Sequence, residues 1–175
     1  MQISEALEKL LPSFGQYYTI NKDTPAAPFL AEAEFRSHNE QYFLVRSAHI
    51  ADIDSNEFVY FAGTPELDEQ TLKELVSKAW ELGLARVKPH EGHRNSDITL
   101  IILADKIAED AQAAIKKTKF YKSYKLSFWG WSNFKLAAVE LTNQGIYSNR
   151  LGKDYRKLLE KNIFNKGDST KGQHY

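Results

Sequence analysis

One stretch of unbroken apolar character, ITLIILA at residues 98–104, most strongly constrains how this chain can fold. A strand with one wet face alternates apolar and polar residues, whereas a continuous apolar run between polar residues is typical of a strand covered on both faces. The run is far shorter than the roughly 20 apolar residues that cross a membrane as a helix. It therefore predicts a central strand of a sheet.

Several other segments alternate with a period of two and predict further strands of the same sheet. They are residues 29–36, 41–50, 57–62, 120–128 and 134–141, and the turn TNQG at 142–145 leads into a last strand at 146–149. Turn-forming residues separate the first three segments, which favours an antiparallel meander. In the segment 120–128, the alternation places Phe120, Tyr124, Leu126 and Phe128 on one face, which is expected to point toward the core.

Apolar residues at helical spacing predict four helices between and around these strands. They cover residues 4–11, a segment from Thr64 and Pro65 to Gly83, residues 105–117, and a short basic segment around residues 155–163. The fold class is thus predicted to be α+β: a mixed, mainly antiparallel sheet of about six strands with helices packed on one face. Residues 1–164 are expected to form a single domain, and residues 165–175 a frayed polar tail.

Composition excludes several classes of site. The chain contains no cysteine, so disulfides, thiolate zinc sites, iron–sulfur clusters and cysteine nucleophiles are absent. No glycine-rich nucleotide motif or nucleophile elbow occurs, and no cofactor is predicted. The N-terminal segment lacks the basic start and apolar run of an export signal, so we expect a soluble cytoplasmic protein with no membrane partner.

Charge is segregated along the chain although the net charge is zero. Residues 1–115 contain 10 Lys and Arg against 19 Asp and Glu, and residues 116–175 contain 13 against 4. Such asymmetry indicates either a basic contact surface or an acidic part docked on a basic part. Internal pairing is the commoner of the two outcomes.

The segment FWGWSNFK at residues 128–135 places two tryptophans around Gly130, among lysines and other rings. Cations neutralise phosphates and aromatic rings stack on bases, so the composition suits nucleic-acid binding. A wet strand face above buried rings, or a sheet corner packed with indoles, explains the same pattern. The candidate binding residues are Trp129, Trp131, Lys119, Tyr121, Lys125 and Lys135.

Metal-dependent chemistry has weaker support. No metal site is predicted; His90 and His93 are the nearest candidates, and a solvated polar loop explains them better. The order of helix, three strands, helix and strand resembles the core of restriction-endonuclease-like domains, which use acids and a lysine to hold Mg²⁺ and activate water. Asp52, Asp54 and Glu57 supply acids, but no lysine follows Glu57 at the required spacing. Glu32 and Glu34 lie on one strand face and could hold a divalent ion, but the ordinary alternation of a strand with one wet face explains their positions equally well.

A longer motif, KFYKSYKLSFWGWSNFKLAAVELTNQGIYSNRLGK at residues 119–153, carries a resemblance to a known family. Its elements are a lysine- and aromatic-rich strand, the corner at Gly130, and Asn149 followed by Gly152 and Lys153. The segment at residues 34–50 is also similar. The chain resembles a small uncharacterised prokaryotic family of unknown function, which implies a single α+β domain and brings no catalytic residues.

No recognisable catalytic motif is present, so a non-catalytic binding or protein-interaction domain is the favoured function. Its expected partners are a second copy of the chain or another protein. One alternative is nucleic-acid binding through the basic C-terminal third. The other is a metal-dependent hydrolase or nuclease that uses Asp52, Asp54 and Glu57 or the histidine loop.

Overall fold

The computed structural model describes residues 1–36 and 54–166. Within them the chain forms seven strands and four α-helices. The strands are β1 (Thr19–Asn21), β2 (Ala31–Arg36), β3 (Asp54–Leu67), β4 (His93–Ile107), β5 (Tyr121–Ser123), β6 (Trp131–Glu140) and β7 (Gly145–Ser148). The helices are α1 (Ile3–Leu10), α2 (Glu69–Arg86), α3 (Glu109–Lys117) and α4 (Arg156–Phe164); the 3₁₀ turns Leu11–Phe14 and Leu151–Tyr155 follow α1 and precede α4.

The strands form one mixed sheet in the spatial order β1, β2, β3, β4, β6, β5, and β7 also pairs with β6. The pairings of β3 with β4 and of β4 with β6 are parallel, and the other four are antiparallel. This confirms the predicted α+β class with a mainly antiparallel mixed sheet. The sheet has seven strands, slightly more than the six expected.

The apolar run at residues 98–104 lies within β4, between β3 and β6, and each of its residues is buried. The helices α2 and α3 connect β3 to β4 and β4 to β6, because parallel neighbours need a long crossover connection. The predicted central strand is thus confirmed.

Helices cover both faces of the sheet, so the expectation of helices on one face is corrected. Alternate residues of β3 enter different cores: Phe58 and Tyr60 pack with residues of α2 and α3, whereas Val59 and Phe61 pack with residues of α1 and α4. The crossover helices occupy one face, and the terminal helices cover the other. A central strand that is apolar on both sides needs both layers.

The first crossover helix begins later than the sequence indicates. Thr64 and Pro65 lie in β3, which continues along β4 to Leu67. The cap of α2 is Asp68, whose carboxylate accepts a hydrogen bond of 2.7 Å from the backbone N–H of Thr71. Such a bond satisfies one of the free N–H groups at a helix start, so Asp68 fixes where α2 begins.

Some predictions fall outside the described residues, including the strand at 41–50 and most of the tail at 165–175. The hairpin turn at 142–145 connects β6 to β7 as predicted. No helix in the two described ranges combines the length and the apolar character needed to cross a membrane.

Candidate functional site

A groove opens at one edge of the sheet, where β6 changes partner. β5 pairs with residues 131–133 of β6, and β7 pairs with residues 137–140. The chain segments before β5 and after β7 line a cavity of about 720 Å³ there. We call this cavity the basic groove, because of the side chains that line it.

Four cations line the basic groove: Lys116, Lys117, Lys119 and Arg150. All four residues are exposed, and no carboxylate is among the lining residues. The ion pairs found within residues 1–36 and 54–166 involve none of the four. Like charges that face one cavity without counter-charges attract anions to it. Within the described residues, the acidic part of the chain therefore forms no ion pair with these four cations.

The side chain of Asn149 links the chain segments that form the basic groove through hydrogen bonds to their backbone. Its side-chain oxygen accepts hydrogen bonds from the backbone N–H groups of Leu136 and Gly152, at 3.0 and 2.8 Å. Its amide nitrogen donates to the carbonyl oxygens of Thr118 and Phe134, at 3.1 and 2.9 Å. Asn149 is 3% exposed, and these bonds satisfy its amide completely. They fix the segments that carry Lys119 and Arg150 onto β6.

Gly152 follows Asn149 in the family motif, and the structure shows why this position is a glycine. A β-carbon at this position would overlap the carbonyl oxygen of Leu136, which is backbone and unable to move aside. Glycine is therefore required where the 3₁₀ turn crosses β6.

Two of the predicted binding residues, Lys119 and Tyr121, lie in the basic groove. Tyr121 is 54% exposed and pairs directly with Asn133 of β6, which also lines the groove. Directly paired residues of antiparallel strands project from the same sheet face. An exposed ring and a polar amide thus stand side by side next to the cations.

Trp129 and Lys125 belong to the adjoining 124–130 loop and contact each other. The ammonium nitrogen of Lys125 lies 3.4 Å from the centroid of the Trp129 ring. Both indoles, Trp129 and Trp131, are half-buried. One face of Trp129 is therefore already covered by a cation, while Trp131 lies in β6, two residues before Asn133.

The 124–130 loop corrects the expectation that Leu126 and Phe128 face the core. Lys125, Leu126 and Ser127 all have positive φ angles, which ends the alternation of β5. The loop closes through hydrogen bonds between Trp129 N–H and Tyr124 O and between Tyr124 N–H and Gly130 O, at 3.1 and 2.9 Å. As a result, Leu126 is 89% exposed and Phe128 is 82% exposed.

Lys135 lies apart from the other predicted binding residues, in a buried polar cluster on the core face shared with α1 and α4. The Glu57 cluster, as we name it, consists of Glu57, Asp97, Thr99, Lys135, Tyr18 and Tyr155. Glu57 accepts hydrogen bonds from the hydroxyl groups of Tyr18, Thr99 and Tyr155 at 2.6, 2.6 and 2.5 Å.

Lys135 supplies the positive charge of the Glu57 cluster. Its ammonium nitrogen lies 3.0 Å from Oδ2 of Asp97 and 4.0 Å from Oε1 of Glu57. Burial acts to lower the pKa of Lys135, but the two carboxylates more than offset it and raise that pKa. The side chain is 18% exposed. Lys135 is thus held in its charged form inside the fold.

The two tyrosines of the cluster respond to the same negative charge. Burial, followed by the charge of the Glu57 carboxylate, raises the pKa of both Tyr18 and Tyr155 above the ordinary tyrosine value. Both phenols therefore stay protonated and donate to Glu57. Sequence reasoning missed this cluster, although polar residues within otherwise apolar strand faces could have indicated it.

Of the acids weighed for a hydrolase, Glu57 is already engaged by other side chains. Asp52 lies outside the described residues, and Asp54 begins β3. Both oxygens of Glu57 already accept hydrogen bonds. No group of three or more histidine, aspartate and glutamate side chains in residues 1–36 and 54–166 is arranged to hold a metal ion.

The other weak candidates are also engaged. Glu34 pairs with Arg36 and, at 2.8 Å, with Arg86, and Glu32 accepts a hydrogen bond of 3.2 Å from the backbone N–H of Ala26. His93 is buried. Its Nδ1 donates to the carbonyl oxygen of Trp129 at 2.7 Å, since a carbonyl can only accept, and its Nε2 lies 2.8 Å from Oγ of Ser96. His90 is exposed, and its Nδ1 lies 2.8 Å from the carbonyl oxygen of Glu91.

Comparison with protein-family models gives a match that covers most of the chain. A family model described as "Domain of unknown function (DUF8052)" matches residues 2–161. No curated protein and no solved structure matches the chain. The match confirms the resemblance to an uncharacterised family of unknown function, and it does not bear on the prokaryotic origin that the resemblance also implied.

Proposed function

The chain belongs to the family described as domain of unknown function DUF8052, and we propose that it binds nucleic acid in the basic groove without catalysing a reaction on it. The observation that carries the proposal is the set of four exposed cations on one cavity with no carboxylate in its lining. Proteins that bind nucleic acid gain most of their affinity by neutralising phosphates with such side chains.

The surroundings of the groove support this ligand over a small anion. The cations come from two chain segments, residues 116–119 and Arg150, so they can contact more than one phosphate. Further exposed lysines, Lys122 and Lys125, follow in β5 and the 124–130 loop. A row of cations of this kind suits a chain of phosphates.

Fluorescence anisotropy with labelled oligonucleotides tests the proposal. At about 50 mM salt we expect binding, and the logarithm of the association constant should fall with the logarithm of salt concentration with a slope near −3, from roughly 0.7 per phosphate and four cations. The variants Lys119→Gln and Arg150→Gln should each make the slope shallower by about 0.7. Lys22→Gln, which removes an exposed lysine paired with Glu8, is the matched control.

Two results would overturn the proposal. One is the absence of binding to any oligonucleotide at about 50 mM salt, where such binding is strong. The other is unchanged affinity in a combined Lys117→Gln, Lys119→Gln and Arg150→Gln variant that keeps the circular dichroism spectrum of the parent.

A protein-interaction role rests on different residues. Such a role predicts exposed apolar surface around Trp129 and Trp131, but both side chains are half-buried. The exposed apolar side chains of this region are Leu126 and Phe128 instead. A homo-oligomer stays a prediction, which size-exclusion chromatography with light scattering measures directly.

We also infer a cytoplasmic location. The absence of cysteine suits a reducing compartment, and nucleic acid is abundant there. Recovery of the full chain in a membrane or secreted fraction would contradict this location.

A further inference from the structure

We propose that the basic groove takes an unpaired nucleic-acid strand, with one base held by Tyr121 and Asn133. This inference rests on the proposed nucleic-acid binding and adds the state of the strand. It also gives the two side chains distinct tasks: Tyr121 stacks on the base, and Asn133 hydrogen-bonds to its edge.

The first support is the placement of the two residues. Tyr121 of β5 and Asn133 of β6 are direct antiparallel partners and both line the groove. Partners of this kind have β-carbons roughly 5 Å apart on one sheet face. A flat ligand over the phenol ring therefore lies within reach of the amide.

The second support is that both side chains are available. The Tyr121 ring is 54% exposed. Among the hydrogen bonds within residues 1–36 and 54–166, none uses the side chain of Asn133, in contrast to the fully bonded Asn149. A half-buried amide with a free donor and a free acceptor can pair with the edge of a base.

The chemistry of stacking selects an unpaired strand. In a duplex each base face is covered by its neighbours, so a protein ring stacks only on bases that are splayed out or single-stranded. The cavity of about 720 Å³ is in the size range of small-ligand sites. It admits a base with its flanking phosphates, whereas a duplex would lie across the opening.

The cations are placed to serve the phosphates on either side of that base. Lys119 lies two residues before Tyr121 on the same chain segment, and Arg150 lines the groove from the segment after β7. A positively charged groove combined with an aromatic ring on which a base stacks is the pattern of proteins that bind single strands without strict sequence preference.

The test compares labelled single strands of about 10 nucleotides, as RNA and as DNA, with duplexes of the same sequence at about 50 mM salt. We expect single strands to bind at least ~10-fold more tightly than duplexes.

Tyr121→Ala should weaken single-strand binding by roughly 5-fold to 100-fold with an unchanged salt slope, and Tyr121→Phe should retain the binding. Asn133→Ala should reduce the affinity differences among homopolymers of different bases. Tyr17→Ala, distant along the chain, is the aromatic control, and unchanged thermal midpoints exclude misfolding.

The outcomes separate this inference from the proposed function. Equal affinity for duplexes, or full single-strand affinity in Tyr121→Ala while Lys119→Gln and Arg150→Gln lose it, overturns the unpaired-strand inference and leaves nucleic-acid binding standing. Binding of dextran sulfate as tight as that of the oligonucleotides also overturns the inference. Failure of every oligonucleotide to bind overturns both.

Discussion

Lys135 contacts Asp97 inside the fold, with 3.0 Å between the ammonium nitrogen and Oδ2. The two residues lie on neighbouring parallel strands, β6 and β4, where Lys135 is two residues beyond Asn133, the direct partner of Asp97. Because of this ion pair, Lys135 is not one of the exposed lysines, although its position in the lysine-rich segment made it a candidate binding residue. The basic groove and the Glu57 cluster are therefore separate assemblies: the first displays exposed cations, and the second pairs Lys135 with two carboxylates in the interior.

Replacement of Lys135 by methionine should destabilise the fold and spare nucleic-acid binding. The change leaves the carboxylates of Glu57 and Asp97 together in the interior without their cation, and broken buried pairs of this kind cost about 3 to 5 kcal/mol. Urea unfolding monitored by tryptophan fluorescence measures the loss. Oligonucleotide affinity, measured below the unfolding transition, should match that of the parent.

Two further variants make the Lys135 prediction specific. Lys22→Met breaks the exposed pair with Glu8 and should cost less than about 1 kcal/mol. Adding Asp97→Asn to Lys135→Met should recover part of the stability, because it removes one of the stranded charges. A loss below about 1 kcal/mol in Lys135→Met, or reduced oligonucleotide affinity, contradicts the assignment.

The fold follows from the sequence where a residue's neighbours along the chain determine its environment. The run at residues 98–104 is apolar on both sides, so its burial needs no knowledge of which strands flank it. Tyr121 lies where local alternation directs it, toward solvent. The start of α2 was misplaced because Pro65 suits a first helical turn as well as a strand edge, and β3 has such an edge where it continues along β4 beyond its pairing with β2.

The Glu57 cluster could not be derived in this way, because distant segments build it. Tyr155 lies 98 residues from Glu57 along the chain, and only the parallel register of β3, β4 and β6 brings Glu57, Asp97 and Lys135 onto one face. The 124–130 loop was missed for a different reason. Its positive φ angles fall on Lys125, Leu126 and Ser127, residue types that give no local signal for that conformation.

The tyrosines of the Glu57 cluster should make stability fall at alkaline pH. Burial and the charge of Glu57 raise the pKa of Tyr18 and Tyr155 in the folded state, whereas the unfolded chain loses these protons near pH 10. The unfolded state therefore binds fewer protons above that pH. The resulting stability is complete below about pH 10 and falls by roughly 1.4 kcal/mol per pH unit for each group above it.

Urea unfolding between about pH 8 and pH 11 measures this slope. Tyr18→Phe and Tyr155→Phe should each lose about 1 kcal/mol near neutral pH, from one hydrogen bond, and should each have a shallower alkaline slope. Tyr121→Phe removes an exposed hydroxyl outside the cluster and serves as the control. An alkaline slope in Tyr155→Phe as steep as in the parent would show that its hydroxyl is not held by Glu57.

Gly130 should be essential to the corner that joins the 124–130 loop to β6. Its φ angle is +82°, and a β-carbon there would overlap the carbonyl oxygen of Arg94 and lie 2.7 Å from Nδ1 of His93. Gly130→Ala therefore combines a left-handed backbone, at about 1 to 2 kcal/mol, with overpacking, at about 1 to 3 kcal/mol. Gly92 is the matched control: its φ angle is +88°, but nothing lies within 4 Å of a β-carbon, so Gly92→Ala should carry the backbone cost alone. Urea unfolding measures the free energy of unfolding that each variant loses, and the larger loss in Gly130→Ala is the cost of the close approach to β4. Equal losses in the two variants would mean that the loop does not pack against Arg94 and His93.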